Sequence, residues 1–250
     1  IKYIVYQLNQ SDFKPAGHEV EFTRKDGNIE LYGKIDRMDI AQNEDGEYIR
    51  IIDYKSSTKS INLNQMVAGT QIQLMTYIDA ISEQTQKQPA GILYFNLIEP
   101  IVSSSNNLTD EEIEERIRKA FKMNGLVLAD IKVVKMMDKK LDKGSSDIIP
   151  VFIDKTGNIS KSKSNIITKE EFTRLQETIR RTIRKISNSI LSGNIDIKPM
   201  YNKAKKISSC EYCKYKTICA FNSKQNKYEY LQNKTKELIL EEITNKESEG

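Results

Sequence analysis

Three features of this 250-residue chain predict a mixed α/β domain. Residues 18–55 alternate apolar and polar side chains in three runs separated by turn signals, as an antiparallel meander does. Residues 62–85 repeat apolar side chains at steps of three and four, the spacing of an amphipathic helix. Residues 90–98 form an apolar run between Pro89 and Pro100, as a buried strand does. The order β-β-β-α-β lays a helix across one face of a sheet.

The first strand covers His18–Arg24 and ends at the turn signal KDGN, and the second covers Ile29–Ile40 and ends at QNEDGE. YIRIIDYKSS is β-branched and apolar, then abruptly polar, like a central strand ending at a site. The helix carries Met66, Thr70, Leu74, Tyr77 and Ile81 on one side, with Asn62 or Asn64 as its N-cap. Residues 101–167 read as an α/β insertion. It opens on a helix with a Thr109–Glu112 capping box and Gly125 at its end. Short strands are expected around Val133 and Val151–Ile153, with the polar stretch DKKLDKGSSD as a surface loop between them. Residues 168–250 begin with the longest helix, capped by Thr168 and Glu171 and ended by Gly193. A cysteine motif and a short helix near Lys234–Thr244 follow. The chain therefore reads as one domain, 1–250, made of a core (1–100), an insertion (101–167) and a Cys-bearing helical segment (168–250).

Composition narrows the function classes. Hydrophobic residues at 38% and charged residues at 30% fit a soluble globular chain and exclude a disordered one. No apolar run approaches the ~18 residues of a membrane span, so a membrane partner is not expected. The start IKYIVYQLNQ has no initiator Met and no signal-peptide features, which reads as a fragment of a longer protein. The 3 cysteines fall within ten residues, which points to a reducing cytoplasm and metal use rather than a disulfide framework. Residues 1–100 carry 10 Lys/Arg against 14 Asp/Glu, and residues 101–250 carry 29 against 21. A basic half beside a carboxylate-bearing half suits a polyanion held in one place and processed in another, or else is a solvated Lys-rich surface. Arg180, Arg181, Arg184 and Lys185, on the long helix, are the expected contacts to such a polyanion, DNA if the resemblance given below holds.

The chemistry concentrates in GKIDRMD, IIDYKSS and QLMTY. Asp53 and Lys55 are two apart on one strand and share a face, with Asp36 on the strand before. Two carboxylates beside a lysine suit a hard divalent cation, Mg2+ or Mn2+, and a phosphate. Gln73 and Tyr77 are four apart on the helix and share a side, either to hydrogen-bond phosphates or bases or, in the plainer reading, as a core tyrosine and a rim glutamine. The plainer alternative is an Asp53–Lys55 ion pair at a strand end, with Asp36 and Arg37 on the surface. In CEYCKYKTIC, Cys210, Cys213 and Cys219 are spaced as metal ligands, although such sites usually take four thiolates.

Together, GKIDRMD, IIDYKSS, TQIQLMTYIDA and GILYFNL resemble the PD-(D/E)XK nuclease superfamily in its RecB-like branch. CEYCKYKTICAF after a basic helix is similar to the iron–sulfur-stapled members of that branch. These include the B subunit of AddAB-type helicase–nucleases and CRISPR-associated nucleases, and the insertion and tail are more similar to the former. The resemblance implies a restriction-endonuclease-like core and an Mg2+-dependent DNA exonuclease. Its substrate would be a single strand from unwound duplex, in double-strand-break repair, with an A-type helicase–nuclease subunit as partner. It implies Asp36 and Asp53 as metal ligands, the Tyr54 backbone carbonyl completing the shell, Lys55 as the catalytic lysine, and Gln73 with Tyr77 as the Q-x-x-x-Y element. It also implies Cys210, Cys213 and Cys219 as three ligands of a [4Fe–4S] cluster. The family's first cluster cysteine and metal-binding His lie upstream of the core, where this chain has neither. His18, on the first strand, reads as a surface residue. The expectation is an incomplete metal site, weak or no cleavage by this chain alone, and an absent or incomplete cluster. The alternatives are a DNA-binding or assembly module with a zinc-type cysteine site and a free-standing CRISPR-associated nuclease.

Overall fold

The computed structural model describes residues 2–98, 100–101 and 108–245; the start of the expected insertion, residues 102–107, lies outside them. The elements run α1 (Lys2–Gln10), β1 (Lys14–Asp26), β2 (Ile29–Asn43), β3 (Gly46–Lys55), α2 (Leu63–Val67), α3 (Gln73–Thr85) and β4 (Gln88–Asn96). There follow α4 (Asp110–Ala120), β5 (Asn124–Leu128), α5 (Ile131–Met137), β6 (Gly144–Ser145), β7 (Phe152–Ile153) and β8 (Ile166–Ile167). The remainder is α6 (Lys169–Leu191), β9 (Met200–Asn202), β10 (Ile207–Ser208), α7 (Lys216–Cys219), β11 (Glu229–Tyr230) and α8 (Lys236–Asn245). The chain divides into two compact units. The first holds residues 1–61 and 73–176, the second residues 62–72 and 177–250.

The first unit is built on a six-stranded mixed sheet in the order β1-β2-β3-β4-β5-β8. The meander is antiparallel, and its first turn is a two-residue link at Gly27, where φ is +62°. β3 and β4 are parallel, so a crossover is required between them, and α3 packs on both strands. Six consecutive β3 residues, Tyr48 to Asp53, are buried before the strand emerges at Tyr54 and Lys55. The abrupt polar switch in the sequence marks that emergence.

Leu74, Met75, Ile78 and Ile81 of α3 are buried. Each contributes about 1.5–3 kcal/mol relative to exposure. The other large cluster joins Tyr48, Ile52, Leu93, Phe95 and Val127 of the sheet to Val133, Val134 and Met137 of α5. α1, which the sequence did not announce, packs against this cluster through Ile4 and Tyr6, and its Tyr3 stacks on Phe121 at 4.7 Å. The segment expected as an insertion thus supplies β5 and β8 of the main sheet and much of its core.

Four local readings need correction. The single helix expected over residues 62–85 is two. Asn62 does cap α2, its side chain accepting from Gln65 N, but Gly69 sits at φ +80° and stops the helix, as a left-handed residue past a C-cap does. α3 restarts at Gln73. Val133 is helical rather than extended, because Asp130 caps α5 by accepting from the backbone N–H groups of Lys132 and Val133. The polar loop is anchored rather than wholly superficial: Asp138, Leu141 and Ser146 are buried, and Ser146 Oγ donates to Asp138 at 2.7 Å.

Gly125, fourth, does not end a helix. The Thr109–Glu112 capping box is present, but α4 ends at Ala120 and Gly125 lies in β5. A Cβ there would sit 2.0 Å from the Ile92 carbonyl oxygen. The glycine is needed for strand approach rather than for a helix end. Gly125→Ala is therefore expected to destabilise the chain by about 1–3 kcal/mol through forced backbone shifts. Denaturant midpoints compared with the unsubstituted chain check this, and an unchanged midpoint would contradict it.

The long helix α6 begins with the expected capping box. Thr168 N donates to Glu171 at 2.7 Å, and Glu171 N donates to Thr168 Oγ1 at 3.2 Å. Gly193, at φ +70°, follows its end. The second unit holds the later turns of α6, a three-stranded sheet, β10-β9-β11, and the terminal α8, whose Ile239, Leu240 and Ile243 are buried. Asn64 at the start of α2 ties to the tail by two bonds with the Lys234 backbone, at 2.9 and 3.0 Å.

Candidate active site

The β2–β3 ladder runs from Asn43–Gly46 to Arg37–Ile52. One step further, Asp36 comes level with Asp53, and the backbone pairing stops. Asp36 itself takes over as acceptor: Tyr54 N donates to its carboxylate at 2.8 Å. The Tyr54 carbonyl lies on the same edge of β3 as its N–H and so faces the same side. Lys55 Nζ lies 2.6 Å from Asp53 Oδ2 and 5.7 Å from the centre of the Tyr94 ring. The sequence-predicted Asp36, Asp53, Tyr54 and Lys55 therefore come together at the carboxyl end of β3.

Asp53 is the exceptional group. Its side chain is 2% exposed, and Oδ2 has no hydrogen-bond donor of proper angle, only the adjacent Lys55 charge. Burial foremost pushes its carboxyl above the usual range, the Lys55 ammonium opposes that, and Asp36 adds to it. A carboxylate buried on a β-strand without donors is costly unless a cation completes it. Two carboxylates with free lone pairs and a backbone carbonyl nearby form an oxygen-only donor set, which fits Mg2+ or Mn2+.

Gly33, the first residue of GKID, has a defined task. A Cβ there would lie 2.7 Å from the Phe22 ring and 3.0 Å from the Tyr77 ring. Tyr77 thereby packs edge-on to Phe22 at 5.4 Å while its hydroxyl accepts from Gln73 Nε2 at 2.9 Å. Gln73 and Tyr77 are thus hydrogen-bonded to each other at the start of α3.

A buried ion cluster escaped the sequence reading. Asp39 accepts two bonds from Arg37, both 2.7 Å, and two from Arg50, at 2.9 and 2.8 Å. The three side chains are 2%, 0% and 0% exposed for Arg37, Asp39 and Arg50. Arg37 also donates to Tyr54 Oη at 3.4 Å, and Arg50 lies 4.9 Å from the Phe13 ring centre. Neighbouring strand residues face opposite ways, so this cluster backs the sheet behind Asp36 and Asp53. Arg37 is therefore core, not surface. The available signal was the alternation of charge within DRMD and YIRII, where a polar side chain recurs on the buried face. His18 pairs in register with Arg37 and is exposed, which agrees with a surface role.

Arg181 and Lys185 line a cavity of about 490 Å3 within the second unit, with Thr178, Thr182, Asn64 and Tyr230. Arg180 and Arg184 are not among its lining residues. Cys210, Cys213 and Cys219 are free thiols, the middle one exposed. Among the described residues no three His, Cys, Asp or Glu side chains gather as a metal site. The cysteines as placed do not fit a cluster, which takes four thiolates.

A mixed sheet carrying Asp36 and an Asp-x-Lys strand end describes a nuclease class, and the chain belongs to it: the model of the PD-(D/E)XK nuclease superfamily matches residues 3–220. Its relatives narrow the comparison. The B subunit of an ATP-dependent helicase/deoxyribonuclease from Clostridium kluyveri is 44% identical over 246 residues, covering 95% of this chain and 21% of that protein. Proteins of the same name from Clostridium novyi and a Thermoanaerobacter species are each 38% identical, over 269 and 264 residues. They cover 100% and 97% of this chain and 23% of each of those proteins. The chain thus spans less than a quarter of the length of these relatives.

Proposed function

We propose that this chain is the nuclease module of a helicase–nuclease B subunit. In this reading it hydrolyses phosphodiester bonds from the end of a single DNA strand delivered by unwinding, during double-strand-break processing. An A-type subunit is the partner and the cytoplasm the setting; among the described residues no helix is long and apolar enough to cross a membrane. The observation that carries the reading is the buried, donor-poor Asp53 carboxylate held against Lys55 and level with Asp36.

Asp36, Asp53 and the Tyr54 carbonyl would hold Mg2+ or Mn2+, which supplies charge neutralisation at the phosphoryl oxygens and acidifies a water. Asp36 is braced for this by the Tyr54 N–H, and Asp53 by burial, so neither carboxylate has to reorganise. Lys55 carries three donors on an ammonium that lies 5.7 Å from the Tyr94 ring centre. One position of its ammonium pairs Asp53; the others orient the attacking water or the scissile phosphate and offset the developing charge. The Gln73–Tyr77 pair offers an amide and a phenol to a nearby phosphate or base. Arg180, Arg181, Arg184 and Lys185 supply sequence-independent backbone contacts. The three cysteines enter only as part of a site that needs a fourth ligand.

The test is cleavage of end-labelled single-stranded DNA by this chain with Mg2+ or Mn2+. Activity is expected to require the metal and to fall about 10²–10³-fold in Lys55→Ala, the loss typical of one charge-stabilising donor. Equal, measurable rates for Lys55→Ala and the unsubstituted chain would defeat the proposal.

A further inference from the structure

The carboxyl ends of the parallel strands β3 and β4 open at one end of the sheet, where ligands of α/β sheets bind. Asn96, the last residue of β4, is in register with Lys55. Its carboxamide holds the backbone of Lys59 at both ends. Lys59 N donates to Asn96 Oδ1 at 3.1 Å, and Asn96 Nδ2 donates to the Lys59 carbonyl at 3.3 Å. Leu97 N donates to the Lys55 carbonyl at 2.7 Å, extending the ladder beside this clamp. The polar segment Ser56–Ser60 is exposed, yet it is tied through Lys59 to the neighbour of the proposed catalytic lysine.

The two lysines differ in occupation. The Lys55 ammonium sits on Asp53, whereas the Lys59 ammonium has no hydrogen bond or ion pair among the described residues. The Lys59 backbone is held by Asn96, which is level with Lys55 across the parallel strands. A site with two carboxylates repels the DNA backbone and needs cations flanking the scissile position. A lysine whose own backbone is already fixed loses less freedom on binding than one on a loose loop.

We propose that Lys59 is a DNA-backbone contact that takes the phosphate beside the scissile one, and that Asn96 is the residue that positions it. This rests on the nuclease reading and adds to it a second phosphate subsite at the mouth of the β3–β4 strand ends.

Fluorescence anisotropy of the 250-residue chain with a labelled single-stranded oligonucleotide, in Ca2+ without Mg2+ or Mn2+, tests it apart from cleavage. Lys59→Ala is expected to weaken binding about fivefold at 0.1 M salt and to reduce the slope of log affinity against log salt by about 0.7, the release from one single-strand phosphate. Lys59→Arg is expected to restore both. Asn96→Ala is expected to weaken binding while keeping the slope, since it leaves the charge in place. A methylphosphonate moved through the oligonucleotide one linkage at a time should make Lys59→Ala silent at one linkage only. If the unsubstituted chain binds with a salt slope that Lys59→Ala leaves unchanged, the subsite is wrong and the nuclease reading stands. If the unsubstituted chain shows no salt-dependent binding, both fall.

Discussion

Asp53→Asn is expected to lower phosphodiester cleavage by more than about 10³-fold while leaving DNA affinity within about twofold, because the carboxylate acts on the chemical step. The same substitution is expected to stabilise the metal-free chain. Burial raises the folded-state pKa of Asp53 above its ordinary value, so the folded chain holds this proton more tightly than the unfolded one. Stability is therefore lost as pH rises from about 3.9, the unfolded value, through the raised folded value. Asn carries no charge and escapes that loss. Thermal midpoints in EDTA should be higher for Asp53→Asn at pH 7, and the difference should narrow as pH is lowered toward about 4. A lower midpoint for Asp53→Asn at pH 7 would show that the Lys55 pair outweighs burial, and the donor-poor carboxylate would lose its significance.

Asp39→Ala is expected to have the largest effect on stability. It removes four hydrogen bonds and leaves the Arg37 and Arg50 guanidinium groups buried with no counter-charge. Breaking a buried ion cluster by removing one partner costs about 3–5 kcal/mol. For a chain of this length that corresponds to a fall of roughly 10 °C in the midpoint. Arg50→Met should be much milder, because it leaves the bidentate Arg37–Asp39 pair and removes Arg50 Nη1, which is buried with no partner. Calorimetry of the two variants checks the ordering. A midpoint for Asp39→Ala within about 2 °C of the unsubstituted chain would mean that water or relaxation reaches this cluster.

Much of the first unit was legible because its signals are local. The alternation through residues 18–55 and the turn residues Gly27 and Gly46 specify the meander without long-range information. The apolar-to-polar switch after Ile52 located the strand end, and the Asp53–Lys55 spacing assigned both side chains to one face. Features set by distant partners were not legible. Gly125 looks like a helix stop, and only the approach of Ile92 reveals why it is a glycine. Gly69 ends α2 through its backbone angle, which an apolar periodicity running on through residue 81 conceals. Asp39 and Arg50 lie eleven residues apart on different strands, and only the antiparallel register brings them together. The clamp of Asn96 on Lys59 is hidden for the same reason, since the two residues are separated by α2 and α3.

The cysteine segment shows the opposite limit. Its spacing reads as a ligand set, yet the three thiols do not gather in the structure, whereas the carboxylates, from strands adjacent in the sheet, come level. We accordingly propose the strand ends, not the cysteine segment, as the place of metal chemistry. Titration of the chain with Mn2+, followed by the loss of the free-ion electron paramagnetic resonance signal, tests this most directly. One site is expected in the unsubstituted chain, absent in both Asp36→Ala and Asp53→Asn, and unaffected by Cys213→Ser. Mn2+ binding that survives Asp53→Asn, or that disappears with Cys213→Ser, would contradict a strand-end metal site and the nuclease mechanism built on it.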